Sequence, residues 1–221
     1  MARIGIVAAL PRELAGLLGD AKPAATLLQQ GVFRVQRGNA VLVAAGMGSE
    51  RATLAVEACG EVQQLLSVGL AGACSPLLTP GQIAEARVVI DTQSGERYGA
   101  ASTTELVLAT TATIASVAEK ARLAAAYGAS MVDMEAATVA RLARAHSIPF
   151  RAIKGISDAH DFELEGMSKF AGKHGSFRTG AFALYTAARP WLWGKAMTLG
   201  KGSTAALKEL TVKLEQVIAD A

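Results

Sequence analysis

The sequence predicts an α/β protein, and two observations carry that reading. Short apolar runs that end in glycine alternate with alanine-rich stretches whose apolar residues recur three and four positions apart, the pattern of strand and helix in turn. The 221 residues are 51% hydrophobic and 19% charged, enough apolar material for one sizeable core, so residues 1–221 are read as a single domain. No internal repeat and no linker interrupts the pattern.

Strands are predicted at Ile4–Ala8, Val41–Ala45, Leu65–Val68, Val88–Ile90, Leu106–Ala109, Met131–Met134 and Phe150–Ile156, each bounded by turn residues or a helix start. Helices are predicted at Pro11–Leu18, Ser49–Cys59, Ser116–Tyr127, Ala136–His146, Thr179–Ala188 and Thr204–Ala219. Pro11 suits a first helical turn, where its missing N–H costs no bond, and Ser49 suits an N-cap. Residues 157–178 mix glycine, histidine and charge without a period and are expected to form a mobile functional loop. Pro190 must end the helix before it, and the final helix is expected to begin afresh after Gly202.

The charge balance excludes several classes. Lys and Arg number 22 against 19 Asp and Glu, a net charge of +3 with both signs scattered, so nucleic acid is not an expected partner. Cys59 and Cys74 have no CxxC spacing and no neighbouring histidine, which argues against a zinc site or a disulfide scaffold and for a reducing cytoplasm. The stretch Arg3-Ile4-Gly5-Ile6-Val7 reads as a strand rather than a leader, and no run of 18 apolar residues exists, so neither export nor a membrane span is expected. Three scattered histidines suggest no metal. His146 reads as a helix C-terminal residue, while His160 and His174 fall in the irregular loop.

In an α/β sheet, ligands sit outside the carboxyl ends of the strands, so acids and glycines there are the first candidates. Glu13 follows the first strand, either facing a ligand or complementing a helix dipole. Gly46-Met47-Gly48 and Gly69-Leu70-Ala71-Gly72 either bring backbone N–H groups to an anion or a sugar, or are simple turns. In Val132-Asp133-Met134-Glu135, alternation puts Asp133 and Glu135 on one side if the strand persists, unless one of them caps the next helix. Gly155-Ile156-Ser157-Asp158 again ends an apolar strand in an acid, which is a site residue or an N-cap.

Taken in order, these segments resemble the family-one nucleoside phosphorylases and hydrolases, and within them the methylthioadenosine/S-adenosylhomocysteine nucleosidases. The resemblance covers roughly residues 3–158, and Val132-Asp133-Met134-Glu135-Ala136 with Ile156-Ser157-Asp158 are its most specific parts. It implies a three-layer α/β/α sandwich with a mixed central sheet, a homodimer or larger assembly, a purine nucleoside as the small-molecule substrate, and no cofactor. Residue by residue, it implies that Asp158 protonates the leaving base at N7 and that Glu135 holds the ribose hydroxyls with Met134 against the sugar. Glu13 would activate the attacking water. The backbone at Gly48, Ala71 and Gly72 is expected against the substrate, and the adenine near Ser157 and within Thr110–Ile114, at Thr111 and Ile114.

The implied activity is hydrolytic release of adenine from a 5′-modified adenosine. The family's phosphorylases carry an arginine just before the glycine of the third strand, where this chain has Leu66-Ser67-Val68-Gly69, so Arg51 is the remaining phosphate candidate if it is not simply a solvated helix residue. Leu70 replaces a serine usual in the nucleosidases, and the segment between Ile90 and Leu106 is short, which opens the 5′ side of the expected pocket. The chain is also similar to hopanoid-associated nucleoside phosphorylases, which act on a lipid-linked adenosine. In that context Trp191 and Trp193, beside Arg189 and Lys195, either meet a membrane surface or pack on the core or a subunit interface. An inactive nucleoside-binding or membrane-associated member is the reading from another class; retention of Glu13, Glu135 and Asp158 together argues against it.

Overall fold

Alternation along the strands decides how the chain layers. A computed structural model describes residues 3–163, 166–170 and 178–220. Its strands are β1 (Ile4–Ala8), β2 (Phe33–Arg37), β3 (Ala40–Ala44), β4 (Gln64–Ser67), β5 (Leu70–Ala73), β6 (Ile83–Ala86), β7 (Val88–Asp91), β8 (Arg97–Gly99), β9 (Val107–Thr110), β10 (Met131–Asp133) and β11 (Phe150–Asp158). The helices are α1 (Ala25–Leu28), α2 (Ser49–Cys59), α3 (Val117–Tyr127), α4 (Ala136–Ala145), α5 (Thr179–Ala187) and α6 (Pro190–Ala219).

The strands form one 11-stranded mixed sheet in the order β2-β3-β1-β4-β11-β5-β10-β9-β7-β8, with β6 paired to β11. Val7, Val41, Val43 and Leu65 point to one face, where they pack with Ala52 and Val56 of α2 and Val139 and Ala143 of α4. Ile4, Ile6, Leu42 and Leu66 point to the other, against Leu210, Leu214 and Val217 of α6, with Leu123 of α3 packed beside Ala109 and Val132. Helices therefore cover both faces, giving the three layers expected.

The long strand β11 organises the middle. It pairs in parallel with β4 at its start and with β5 at its end, and antiparallel with β6 between them. Its register against β5 shifts between Ile156 and Asp158, leaving Ser157 as the extra residue of a bulge, a device that re-aims side chains at a strand end.

Several expectations are corrected. Pro11–Leu18 is not one helix but two 3-10 turns, Pro11–Glu13 and Ala15–Leu17, because the Glu13 carboxylate folds back onto the amides that open the turn. Ser49 is the first residue of α2 and Gly48 is its N-cap, since a side chain from another strand end satisfies the Gly48 N–H. The final helix does not restart after Gly202. It runs unbroken from Pro190, where proline fits the first turn, and Gly202 is held inside it because a Cβ there would lie 2.5 Å from the Ser157 carbonyl oxygen. Strands β2, β5, β6 and β8 were not expected, being short or interrupted by glycine and charge. Of the irregular segment 157–178, Ser157 and Asp158 belong to β11, Met167–Phe170 forms a 3-10 turn, and His174 lies outside the described residues. No helix among the described residues is long and apolar enough to cross a membrane.

Candidate active site

A cleft of about 420 Å³ opens at the carboxyl ends of β1, β9, β10 and β11. The turn after β1 contributes Ala9, Leu10, Arg12 and Glu13, and β5 contributes Leu70, Ala71 and Gly72. Thr111 and Ile114 follow β9, Met134 and Glu135 follow β10, and Ser157 and Asp158 end β11. Phe182 of α5 and a stripe of α6, including Ala196, Leu199, Gly200 and Leu207, close the other side.

Glu13 is 7% exposed, and three backbone amides hold its carboxylate. Oε2 accepts from the Ala9 and Leu10 amides at 3.0 and 2.9 Å, and Oε1 accepts from the Leu70 amide at 3.2 Å. Gly69 makes this approach feasible: its φ of +114° favours glycine, and a Cβ there would meet Glu13 Oε2 at 2.9 Å. Burial pushes the Glu13 carboxyl above its ordinary value, against the amide bonds and the charges of Lys154 and Arg12.

Glu135 accepts from the Gly48 amide at 2.7 Å. Burial first, and the neighbouring Asp133 charge second, push its pKa up to about 8. The strand does not persist to Glu135, since β10 ends at Asp133 and the chain turns, yet both acids line the cleft. Asp133 points inward: Thr110 Oγ1 donates to it at 2.7 Å, the Ala136 amide donates at 3.0 Å, and Lys154 Nζ lies 2.9 Å away. Lys154, 1% exposed, also donates to Ser67 Oγ at 3.0 Å and the Val68 carbonyl at 3.1 Å, so a buried ammonium stands behind the acids of this half of the cleft.

Asp158 is held differently. Lys120 Nζ of α3 donates to its Oδ2 in an ion pair, and Ser157 Oγ bonds Oδ1. The same ammonium donates to the Ala159 and Phe162 carbonyls at 2.8 and 3.1 Å. Gly72 leaves room for the pair, since a Cβ would come within 3.0 Å of Asp158 Oδ2 and 3.1 Å of Lys120 Cε.

The cleft thus gathers Glu13, Asp158, Glu135, Met134, Gly72, Ala71, Ser157, Thr111 and Ile114. Gly48 and Arg51 fall instead in a neighbouring pocket of about 360 Å³, which shares Met47, Thr111 and Met134 with the first. Gly48 still serves the cleft through its bond to Glu135. Arg51 lines that neighbouring pocket, and its Nε donates to the Ala45 carbonyl and a terminal nitrogen to the Gly31 carbonyl. The cations that do line the cleft are Arg12 and Lys120. Among the described residues no group of His, Cys, Asp and Glu is placed to hold a metal ion.

Sequence reasoning missed Lys120, Lys154, Arg12 and the α5–α6 wall. Lysines inside an apolar strand (Ile153-Lys154-Gly155) and on the inner face of an amphipathic helix were the available signal, because a lysine there requires a buried partner.

Residues 92–181 match the phosphorylase superfamily. A Helicobacter pylori 5′-methylthioadenosine/S-adenosylhomocysteine nucleosidase variant, solved with 5′-methylthioadenosine in its active site, aligns over 95% of this chain and 100% of its own, with a TM-score of 0.60 and 19% identity. The chain has the fold of these nucleosidases. Futalosine hydrolase from the same organism aligns over 95% of this chain and 98% of its own, with a TM-score of 0.61 and 19% identity. The Campylobacter jejuni 5′-methylthioadenosine/S-adenosylhomocysteine nucleosidase aligns over 94% and 98%, with a TM-score of 0.60 and 20% identity. No curated protein sequence matches the chain.

Proposed function

We propose that the protein is a purine nucleoside N-ribosyl hydrolase that releases adenine from a 5′-modified adenosine. The observation that carries this reading is the convergence of Glu13, Glu135 and Asp158 on one cleft, in a fold whose relatives include nucleosidases. Cleaving the bond between C1′ and N9 passes through an oxocarbenium-like sugar, so the leaving base must be protonated and a nucleophile brought to C1′. In this reading Asp158 gives a proton to N7, water attacks C1′, and Glu13 accepts the proton that the water loses. A buried carboxylate whose proton affinity is raised suits that role. Glu135, whose proton affinity burial raises, can as a carboxylic acid donate to one ribose oxygen and accept from the other hydroxyl.

A phosphorylase is the second reading, favoured by one observation: Arg12 lines the cleft beside Glu13, where it can meet an anion. Arg51 supports it less, being committed to two carbonyls. For the 5′-substituent, the wall of Phe182, Ala196, Leu199 and Leu207 favours an apolar group, and exposed Trp193 and Met197 on the same helix extend that surface. A lipid-linked adenosine would fit this wall, with Trp191 and Trp193 near a membrane surface.

The test is adenine release from methylthioadenosine, S-adenosylhomocysteine and adenosine, each with and without phosphate. Release independent of phosphate is the expected result. Dependence on phosphate, abolished by Arg12→Ala, would replace hydrolysis with phosphorolysis, and no release from any nucleoside, lipid-linked ones included, would sink both.

A further inference from the structure

The proposed reaction asks Asp158 to deliver a proton, yet the side chain facing it is an ammonium. Lys120 is 3% exposed and Asp158 17%, and they meet in direct contact at the floor of the cleft. The three protons of the Lys120 ammonium have three acceptors: Asp158 Oδ2, the Ala159 carbonyl and the Phe162 carbonyl. Two of these acceptors are backbone oxygens, which remain satisfied if the lysine keeps only two protons. A neutral amine would still donate to both carbonyls while its lone pair accepted a bond from a protonated Asp158. The site is therefore satisfied both as an ion pair and as a neutral acid–amine pair, and expelling water from the cleft favours the neutral form.

We propose that Lys120 is the source of the proton that Asp158 passes to the leaving base. Lys120 acts through Asp158 as a positioning residue, and the inference rests on the hydrolytic reading above. When a nucleoside fills the cleft, a proton moves from Nζ to Oδ2, leaving Lys120 neutral and Asp158 a carboxylic acid. As the C1′–N9 bond breaks, its electron pair goes to the base and the Asp158 proton goes to N7, so Asp158 returns to a carboxylate. The attacking water gives its proton to Glu13. After release, solvent reprotonates Lys120 and takes the proton from Glu13, which closes the balance.

The other titratable groups around the pair leave this role to Lys120. Burial pushes the Cys74 thiol, at the end of β5, up to about 12, so it stays neutral. Glu119, next to Lys120 on α3, is gripped by Arg122 through two bonds of 2.7 Å. Glu163 accepts from the Val117 amide at the start of α3, and His160 and Asp161 lie in the same segment after β11. Lys195 of α6 donates to the Glu163 carbonyl. Arg12, Glu13, Asp133 and Glu135 are the charged groups elsewhere in the cleft lining.

The test compares the pH profile of kcat for adenine release by the wild type, Lys120→Met and Lys120→Arg, with folding checked by circular dichroism. In Lys120→Met, Asp158 must draw its proton from solvent, so kcat is expected to fall by up to about tenfold per pH unit as pH rises, while the wild type stays flat across the same range. Lys120→Arg keeps the positive charge but holds its proton, so Asp158 must again draw on solvent, and kcat should drop about a hundredfold at neutral pH and recover toward low pH with KM little changed. Lys120→Met with the wild-type profile, or Lys120→Arg with the wild-type kcat, would overturn the inference. If Lys120→Met does not fold, Lys120→Arg decides alone by the same criterion. A wild-type protein that releases no adenine overturns the hydrolytic reading and this inference with it, whereas normal release with insensitive variants overturns only this one.

Discussion

Glu13 and Asp158 stand in one cleft and are held by opposite means. Three backbone amides grip Glu13, whereas a lysine ammonium and a serine hydroxyl grip Asp158. Amides neither titrate nor leave, so the position of Glu13 is fixed by the fold and its proton affinity by burial. An ammonium can give up a proton, so the partner of Asp158 can change state during a reaction. One cleft can thus combine a permanent acceptor with an adjustable donor.

The largest test of that contrast is removal of each acid. Glu13→Gln and Asp158→Asn are each expected to lower kcat for adenine release by about a hundred- to ten-thousand-fold, with nucleoside affinity measured by calorimetry little changed. Glu13→Gln keeps an oxygen for the Ala9 and Leu10 amides but turns its NH2 on the Leu70 amide, so a stability loss of about 1–3 kcal/mol is expected beside the loss of rate. If either variant kept its rate, the assignment of that residue would fail.

The buried ammonium behind the Glu13 half gives the next effect. Lys154→Met leaves Asp133 without its cation at 1% exposure, a loss expected to cost about 3–5 kcal/mol in a denaturant titration. Adding Asp133→Asn should restore part of that stability; a double variant as unstable as the single one would show that the pair is not the cause. Gly202→Ala ranks third. Its Cβ would press on the Ser157 carbonyl, so a loss of about 1–3 kcal/mol is expected, with KM rising as α6 is pushed off the end of β11.

The smallest effect is on the pH dependence of stability. Glu135 has a raised carboxyl, so its contribution is fully present below the ordinary value of 4.5 and is lost as pH rises through about 8. Unfolding free energies measured between those limits should decline with pH less steeply in Glu135→Gln than in the wild type. Equal slopes would place the burden of that window elsewhere.

Much of this arrangement was legible in the sequence. The apolar runs marked β1, β3, β4, β7, β9, β10 and β11 as strands, and the acids after three of them fell on the cleft because ligands gather at the carboxyl ends of the strands in an α/β sheet. What was hidden is what depends on contacts distant in sequence. The bonds from Arg51 to the Gly31 and Ala45 carbonyls leave no trace in the sequence around it. Gly48 replaced Ser49 as the N-cap because Glu135, 87 positions away, supplies the acceptor. Gly202 looked like a helix break because its packing against Ser157 leaves no mark in local composition.

That glycine also gives the long helix a mechanical character. The C-terminal part of α6 is anchored by buried Ala206, Leu210, Leu214 and Val217, whereas toward its other end Leu192 is buried but Trp191, Trp193 and Met197 stand largely in solvent. A 30-residue helix is about 45 Å long, so α6 is a cantilever whose fulcrum is the contact between Gly202 and Ser157. Pro190 lies about 18 Å from that fulcrum, and a tilt of about 5° would swing it by about 1.6 Å. A tilt of that size would change the girth of the cleft at one wall without touching the strand ends that carry Glu13, Glu135 and Asp158.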